Sequence, residues 1–230
     1  MVRHIVWDGH ELVWSGDGRE YLRGVGARYL LHPFFEEGFN RILEYWRPSK
    51  RYVIGLFLPC AYGKPYSQSY IHYFILKALR SLGEDYDKIH QIIVTNAGIV
   101  PRELEEYYPY CAYDWNPRYE TPDVKELYRA VTYRRLKKFI EKFGKYYDVL
   151  ACYLRWDSDS FQALRRALTE LGYNVVNLAA KPEEVPLEEL REVSLNGLYE
   201  DEDLILITKT SLGKLVAGIK RILYARSNSK

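Results

Sequence analysis

A thiol, an ammonium, a hydroxyl and an imidazole crowd into one short stretch of this chain, Pro59-Cys60-Ala61-Tyr62-Gly63-Lys64-Pro65-Tyr66-Ser67-Gln68-Ser69-Tyr70-Ile71-His72. Cys60, Lys64, Ser69 and His72 are the residue types of nucleophilic catalysis, an attacking sulfur with neighbours that can take and return a proton. The reactive form is the thiolate, which is favoured just before a helix N-terminus and beside an ammonium. The sequence supplies that helix: Ile71, Phe74, Ile75, Ala78, Leu79 and Leu82 recur at helical spacing. Ser69 and His72 then share an adjoining flank and lean back toward the loop. Taken singly, Cys60 also reads as a small buried hydrophobe, Lys64 as a surface charge and His72 as a core-edge residue bonded to backbone.

A second stretch runs Thr95-Asn96-Ala97-Gly98-Ile99-Val100-Pro101-Arg102-Glu103-Leu104-Glu105. Asn96 can read a base or amide edge, Gly98 allows close backbone approach to a ligand, and Pro101 starts a short helix carrying Arg102 and Glu103. A helix cap with an incidental Arg-Glu pair is the competing account. Tyr107-Tyr108-Pro109-Tyr110-Cys111-Ala112-Tyr113-Asp114-Trp115 is a stacking surface or packs on a sheet. The basic residues Arg134, Arg135, Lys137, Lys138, Lys142 and Lys145 form the solvent face of a long helix or a phosphate patch.

These side chains need a scaffold, and the hydrophobic pattern predicts one. Short apolar, mostly β-branched runs at 52–58, 91–95, 149–154, 173–178 and 204–207 read as buried strands. Helical periodicity covers 33–46, 67–82, 122–143, 158–171 and 211–225, with Thr121 and Pro122 as a helix start. The alternation predicts a three-layer α/β/α domain with a mostly parallel sheet over residues 33–230. Residues 1–32 are expected to form an N-terminal β-hairpin extension (Ile5-Val6-Trp7, an Asp8-Gly9 turn, Leu12-Val13-Trp14) and a glycine-rich connector. The acidic stretch 183–203 reads as a solvated helix and connector. Ligands of such folds bind beyond the carboxyl ends of the strands, where the loops containing Cys60, Asn96 and Arg155 fall.

Composition narrows the function classes. The 230 residues carry a formal net charge of +2, with three cysteines far apart, 22 tyrosines and one methionine. No window approaches roughly 18 uncharged apolar residues, so no membrane span is expected, nor a signal peptide, which makes the protein cytoplasmic. The cysteine spacing fits neither a disulfide framework nor a metal site, and neither metal nor cofactor is expected. Few thermolabile side chains suit a hot-living source. Proteins that hold nucleic acid unaided usually exceed a pI of about 9; this chain sits near 8.2.

Pro59-Cys60-(three residues)-Lys64-Pro65-Tyr66-(two)-Ser69-(two)-His72, followed by Ile93-Val94-Thr95, Gly98 to Glu105, Tyr108-Pro109 and Tyr113-Asp114, resembles the signature of the archaeosine synthase domain. That family is related to the archaeal tRNA-guanine transglycosylases, and the similarity covers roughly residues 50–170. The resemblance implies a fold similar to uracil-DNA glycosylase and a reaction on 7-cyano-7-deazaguanine in tRNA, converting its nitrile to an amidine with lysine as amine donor. It implies catalytic roles for Cys60, Lys64, Ser69 and His72. Pro59, Pro65, Tyr66, Asn96, Gly98, Arg102, Glu103, Asp114 and Arg155 are expected to bind the tRNA or deazaguanine base. Family enzymes carry a transglycosylase-like barrel and an RNA-binding module, so a separate partner of either kind is expected. Two other readings stand beside it: a non-catalytic nucleobase- or tRNA-binding module that supports another enzyme, and a base-excising glycosylase.

Overall fold

The computed structural model describes residues 6–7, 10–11, 20–198 and 200–228. Among them the strands are, in chain order, β1 (Val6–Trp7), β2 (His10–Glu11), β3 (Leu22–Arg23), β4 (Tyr52–Leu58), β5 (Ile89–Thr95), β6 (Gly98–Pro101), β7 (Tyr113–Asp114), β8 (Tyr147–Cys152) and β9 (Val176–Asn177). The helices are α1 (Ala27–Leu30), α2 (Pro33–Tyr45), α3 (Tyr70–Arg80), α4 (Pro122–Phe143), α5 (Asp159–Glu170), α6 (Leu187–Val193) and α7 (Lys209–Ser227).

The main sheet has the order β6-β5-β4-β8-β9, parallel except for β6 at one edge. Its strands alternate between two cores. Phe57, Leu150 and Cys152 face α2, α4 and α5, packing with Phe39, Phe139 and Leu164. Ile54, Leu56, Leu58 and Tyr153 face the other way, onto α3 and α7 through Ile75, Leu79, Leu215 and Ile219. With both faces covered, β4 reads as an unbroken apolar run, and the three-layer α/β/α arrangement follows. The chain leaves β4 toward β5 on one side, whereas β8 continues to β9 on the other, so the sheet reverses direction at the carboxyl ends of β4 and β8.

Three sequence expectations change. Residues 204–207 are not a strand: they lie in a 3₁₀ helix, Glu202–Ile207, with all four apolar side chains buried in the α3/α7 layer. Four apolar residues in a row carry no period that separates strand from turn. The Tyr173 segment contributes only Val176–Asn177 to the sheet. What reads as a loop after β5 is a hairpin: the side-chain oxygen of Thr95 accepts from the amides of Ala97 and Gly98, and β6 returns antiparallel. Near the N-terminus, Val6–Trp7 pairs with His10–Glu11, ahead of the expected second strand; Ile5, Asp8-Gly9 and Leu12-Val13-Trp14 lie outside the described residues. Leu22 and Leu30 join the main core, and β3 pairs in parallel with β7 in a small separate ribbon. No helix among the described residues is long and apolar enough to cross a membrane.

Candidate active site

Cys60 follows β4 at the point where the sheet reverses. Its Sγ lies 3.5 Å from Tyr113 Oη, 3.9 Å from Asn96 Oδ1 and 3.7 Å from the Ala61 carbonyl, and the residue is half-buried. Tyr113 Oη also lies 2.9 Å from Tyr66 Oη, and both rings are fully buried. Burial, with the nearby Cys60, pushes both phenols well above their ordinary range, so each keeps its proton at neutral pH. Lys64 closes over this group. Its Nζ sits 4.1 Å from the centroid of the Tyr113 ring and donates to the carbonyls of Ala61 and Tyr62 at 3.2 and 3.1 Å. The sequence therefore places a thiol, two protonated phenols, an ammonium and an amide around one point.

Ser69 and His72 do a different job. Ser69 is the N-cap of α3 and accepts from the amide of His72 at 3.2 Å, which is why the helix starts there. His72 is fully buried and both ring nitrogens are engaged. Nδ1 lies 2.8 Å from an Arg102 Nη2 and Nε2 lies 2.9 Å from the Pro59 carbonyl. A guanidinium only donates, so Nδ1 accepts and Nε2 carries the proton it gives to Pro59. Burial first, and then the Arg102 charge, lower the imidazole to about 3. Arg102 continues the chain of bonds to Glu105 at 2.7 Å and to Gln91 at 3.1 Å, and Glu105 accepts from the amide of Ser67 at 3.0 Å. This network bolts the Cys60 loop to the sheet without reaching the thiol. Pro65 completes the loop from inside, its carbonyl accepting from the Gln68 amide at 3.0 Å where a 3₁₀ turn begins.

The remaining expected residues divide. Asn96 stands beside the thiol. Gly98, with a φ of +148°, serves the β5–β6 hairpin, and a side chain there would touch Phe39. Glu103 follows Arg102 by one residue and points to the opposite face, where it accepts from Trp46 Nε1 at 3.1 Å and meets His90 Nε2 at 3.1 Å. Arg155 is surrounded by carboxylates, Glu202 at 2.6 Å, Asp203 at 3.3 Å and Asp157 at 3.4 Å. Burial and the neighbouring Asp201 raise Asp203 to about 6 against the pull of Arg155. Asp114 accepts from Tyr21 Oη at 2.8 Å and pairs with Arg23 Nε at 3.1 Å.

Arg135 escapes the sequence reading, which counts it with the exposed basic face. It is fully buried, donating to the Asn96 carbonyl at 2.8 Å, the Leu30 carbonyl at 2.9 Å and Glu36 Oε1 at 2.6 Å. A signal for it exists: Tyr128, Val131, Thr132, Arg135, Leu136 and Phe139 fall on one helical stripe, and all are buried. Its bond to the Asn96 backbone holds the amide that faces Cys60. Among the described residues no three His, Cys, Asp or Glu side chains group around a metal position.

Comparison with known proteins follows the same segment. A family described as a domain of unknown function (DUF5591) matches residues 36–194. The chain is similar to archaeosine synthase subunit alpha of Thermoplasma acidophilum, 50% identical over 90 residues, covering 33% of this chain and 17% of that protein. The subunits of the same name from Methanosarcina acetivorans and Thermococcus kodakarensis are 45% identical over 76 residues and 37% over 89. Those matches cover 33% and 38% of this chain and 12% and 16% of the relatives. The chain thus spans less than a fifth of the length of these curated relatives. Among solved structures, the crystal structure of AF0587, a protein of unknown function, aligns at a TM-score of 0.48 and 22% identity, over 79% of this chain and 49% of that one.

Proposed function

The chain belongs to the family described as a domain of unknown function (DUF5591), and from its similarity to archaeosine synthase subunit alpha we propose that it serves tRNA modification, in the formation of archaeosine. The substrate in this reading is the nitrile of 7-cyano-7-deazaguanine carried in tRNA, and the product is its amidine. The observation that carries the proposal is the half-buried Cys60 thiol, 3.5 Å from a protonated Tyr113 hydroxyl and roofed by Lys64, within the matched segment.

The Cys60 thiolate adds to the nitrile carbon. A carbon–sulfur bond forms, the triple bond becomes a double bond, and the nitrogen takes a proton from the Tyr113 hydroxyl or the Lys64 ammonium. The thioimidate that results is attacked at the same carbon by an amine, with lysine as the donor. The carbon–sulfur bond then breaks, the amine's proton returns to the Tyr113 or Lys64 donor, and the thiolate is restored. Asn96 orients the base edge. His72 and Ser69 act as positioning residues, because the imidazole is buried, engaged at both nitrogens and without a proton to spare near neutrality. A net charge of +2 offers little general attraction for phosphates, so a transglycosylase-like or RNA-binding partner holds the tRNA body in this scheme.

Incubation of the full chain with tRNA bearing the cyano base and labelled lysine, with and without cell extract, tests the proposal by mass analysis of digested nucleosides. Labelled amidine is expected, and in the absence of amine the protein mass measured after nuclease digestion should show one modified nucleoside added at Cys60. Full transfer by Cys60→Ala overturns the covalent route. Neither transfer nor adduct, even with extract, overturns the archaeosine assignment.

A further inference from the structure

Beside the Cys60 loop lies a cleft of about 460 Å³, a volume ordinary for small-ligand sites. Its walls come from three separate parts of the chain: the β3 end (Arg23), the Cys60 loop (Tyr62) and the end of β7 with the segment that follows it (Asp114, Asn116 and Tyr119). Arg23 lies outside the family-matched residues 36–194. Tyr62 and Tyr119 are 64% and 73% exposed, so two large aromatic faces are left open to solvent at the cleft. Their position at the edge of a concave site is that of stacking surfaces.

The polar groups of the cleft form a matched set. Asp114 accepts one bond on each oxygen, from Tyr21 Oη and from Arg23 Nε, and each carboxylate oxygen has a second lone pair available. Asn116 gives its Oδ1 to the Arg118 amide at 3.0 Å, which fixes the side chain and turns its amide Nδ2 into the group it can offer a ligand. A carboxylate acceptor beside an amide donor complements a ligand edge with two adjacent N–H donors and one carbonyl. Guanine-type bases present that edge, as N1–H, the 2-amino group and O6, whereas adenine has no N1–H.

We propose that this cleft is a specificity subsite for the Watson–Crick edge of a guanine-type base, with Asp114 accepting from N1–H and the 2-amino group, Asn116 donating to O6, and Tyr62 and Tyr119 stacking on the ring. The assignment rests on the tRNA-modification reading for the identity of the base, and binding can be measured apart from chemistry. Asp114 and Tyr113 are neighbours in one short strand, so Tyr113 faces the thiol while Asp114 faces the cleft. A base seated there is held by the same ribbon that positions the phenol.

Calorimetric titration of the full chain with free 7-cyano-7-deazaguanine, with its analogue lacking the 2-amino group and with adenine tests the subsite. The first is expected to bind at least tenfold more tightly than the other two, and Asp114→Asn to erase most of that preference. Tyr62→Ala combined with Tyr119→Ala, on exposed side chains that the fold does not need, is expected to weaken the cyano base roughly fivefold or more. In Cys60→Ala the adduct is expected to vanish while the preference among the three bases persists, so an adduct that survives there with selectivity intact defeats only the covalent route. Equal affinity for the three bases, no measurable binding of the cyano base, or unchanged binding by the double tyrosine variant overturns the subsite. If Asp114→Asn disturbs the β3–β7 pairing, the tyrosine variant and Asn116→Ala decide alone, and unchanged binding in both defeats the proposal.

Discussion

The stretch from Pro59 to His72 feeds two polar clusters that differ in how completely their groups are satisfied. Around Cys60 no hydrogen bond of the thiol among the described residues is shorter than 3.5 Å, and the residue keeps part of its surface. Around Arg102 the bonds run from 2.7 to 3.1 Å, link His72, Glu105 and Gln91, and are mostly buried. In the proposed reaction, reactivity and rigidity are thus divided between neighbouring parts of one loop. A group whose hydrogen-bonding capacity is used up holds geometry, and a group with capacity to spare can meet a substrate. The histidine of the signature belongs to the first kind, although its residue type suggests the second.

Removing Arg102 is the strongest way to break that division. Arg102→Ala leaves Glu105 and the His72 ring without their partner and is expected to cost about 3 kcal/mol of folding stability, read as a lower midpoint in urea denaturation. Tyr113→Phe attacks the other cluster. It keeps the ring beneath Lys64 and deletes the hydroxyl, so adduct formation is expected to fall about a hundredfold while stability changes by about 1 kcal/mol. An unchanged adduct rate would move the proton donor to Lys64.

The finest test is of pH dependence. The folded-state pKa of His72, about 3, lies below the 6.5 of an exposed imidazole. The unfolded chain therefore takes up a proton as the pH falls below 6.5 and the folded chain does not, so stability is full above 6.5 and is lost toward pH 3. The slope from this residue is up to about 1.4 kcal/mol per pH unit. His72→Gln, which can still accept from Arg102 and donate to Pro59, is expected to flatten it in urea titrations between about pH 4 and pH 7. A wild-type slope in that variant would assign the acid sensitivity elsewhere.

The layers are legible in the sequence wherever period and burial agree. β4 and α4 stand at the expected 52–58 and 122–143, because a doubly buried strand is all apolar and a long helix shows its stripe and its Thr121-Pro122 start. Residues 204–207 read as a strand because burial on all sides erases periodicity. β6 escapes the reading although two apolar runs joined by Asn96-Ala97 have hairpin spacing. At the site, the residues of the Cys60 mouth can be named from sequence, but their partners cannot. The contacts of Tyr113 and Arg135 with this loop and with Asn96 depend on where distant segments meet, and no local pattern encodes that.

Arg135 ties Asn96 to Leu30 and Glu36, contacts that bridge 39, 105 and 99 positions of chain. Closing such long loops carries an entropic cost that short ones escape. The β5–β6 hairpin and the β4–β5 pairing, whose partners are nearer in the chain, can thus form before the guanidinium ties Asn96 to Leu30 and Glu36. The amide beside the thiol is then expected to be fixed late in folding and released early when the protein loosens, so proton exchange at the Arg135 guanidinium, which donates to the Asn96 and Leu30 carbonyls, would report the competence of the site before global unfolding begins.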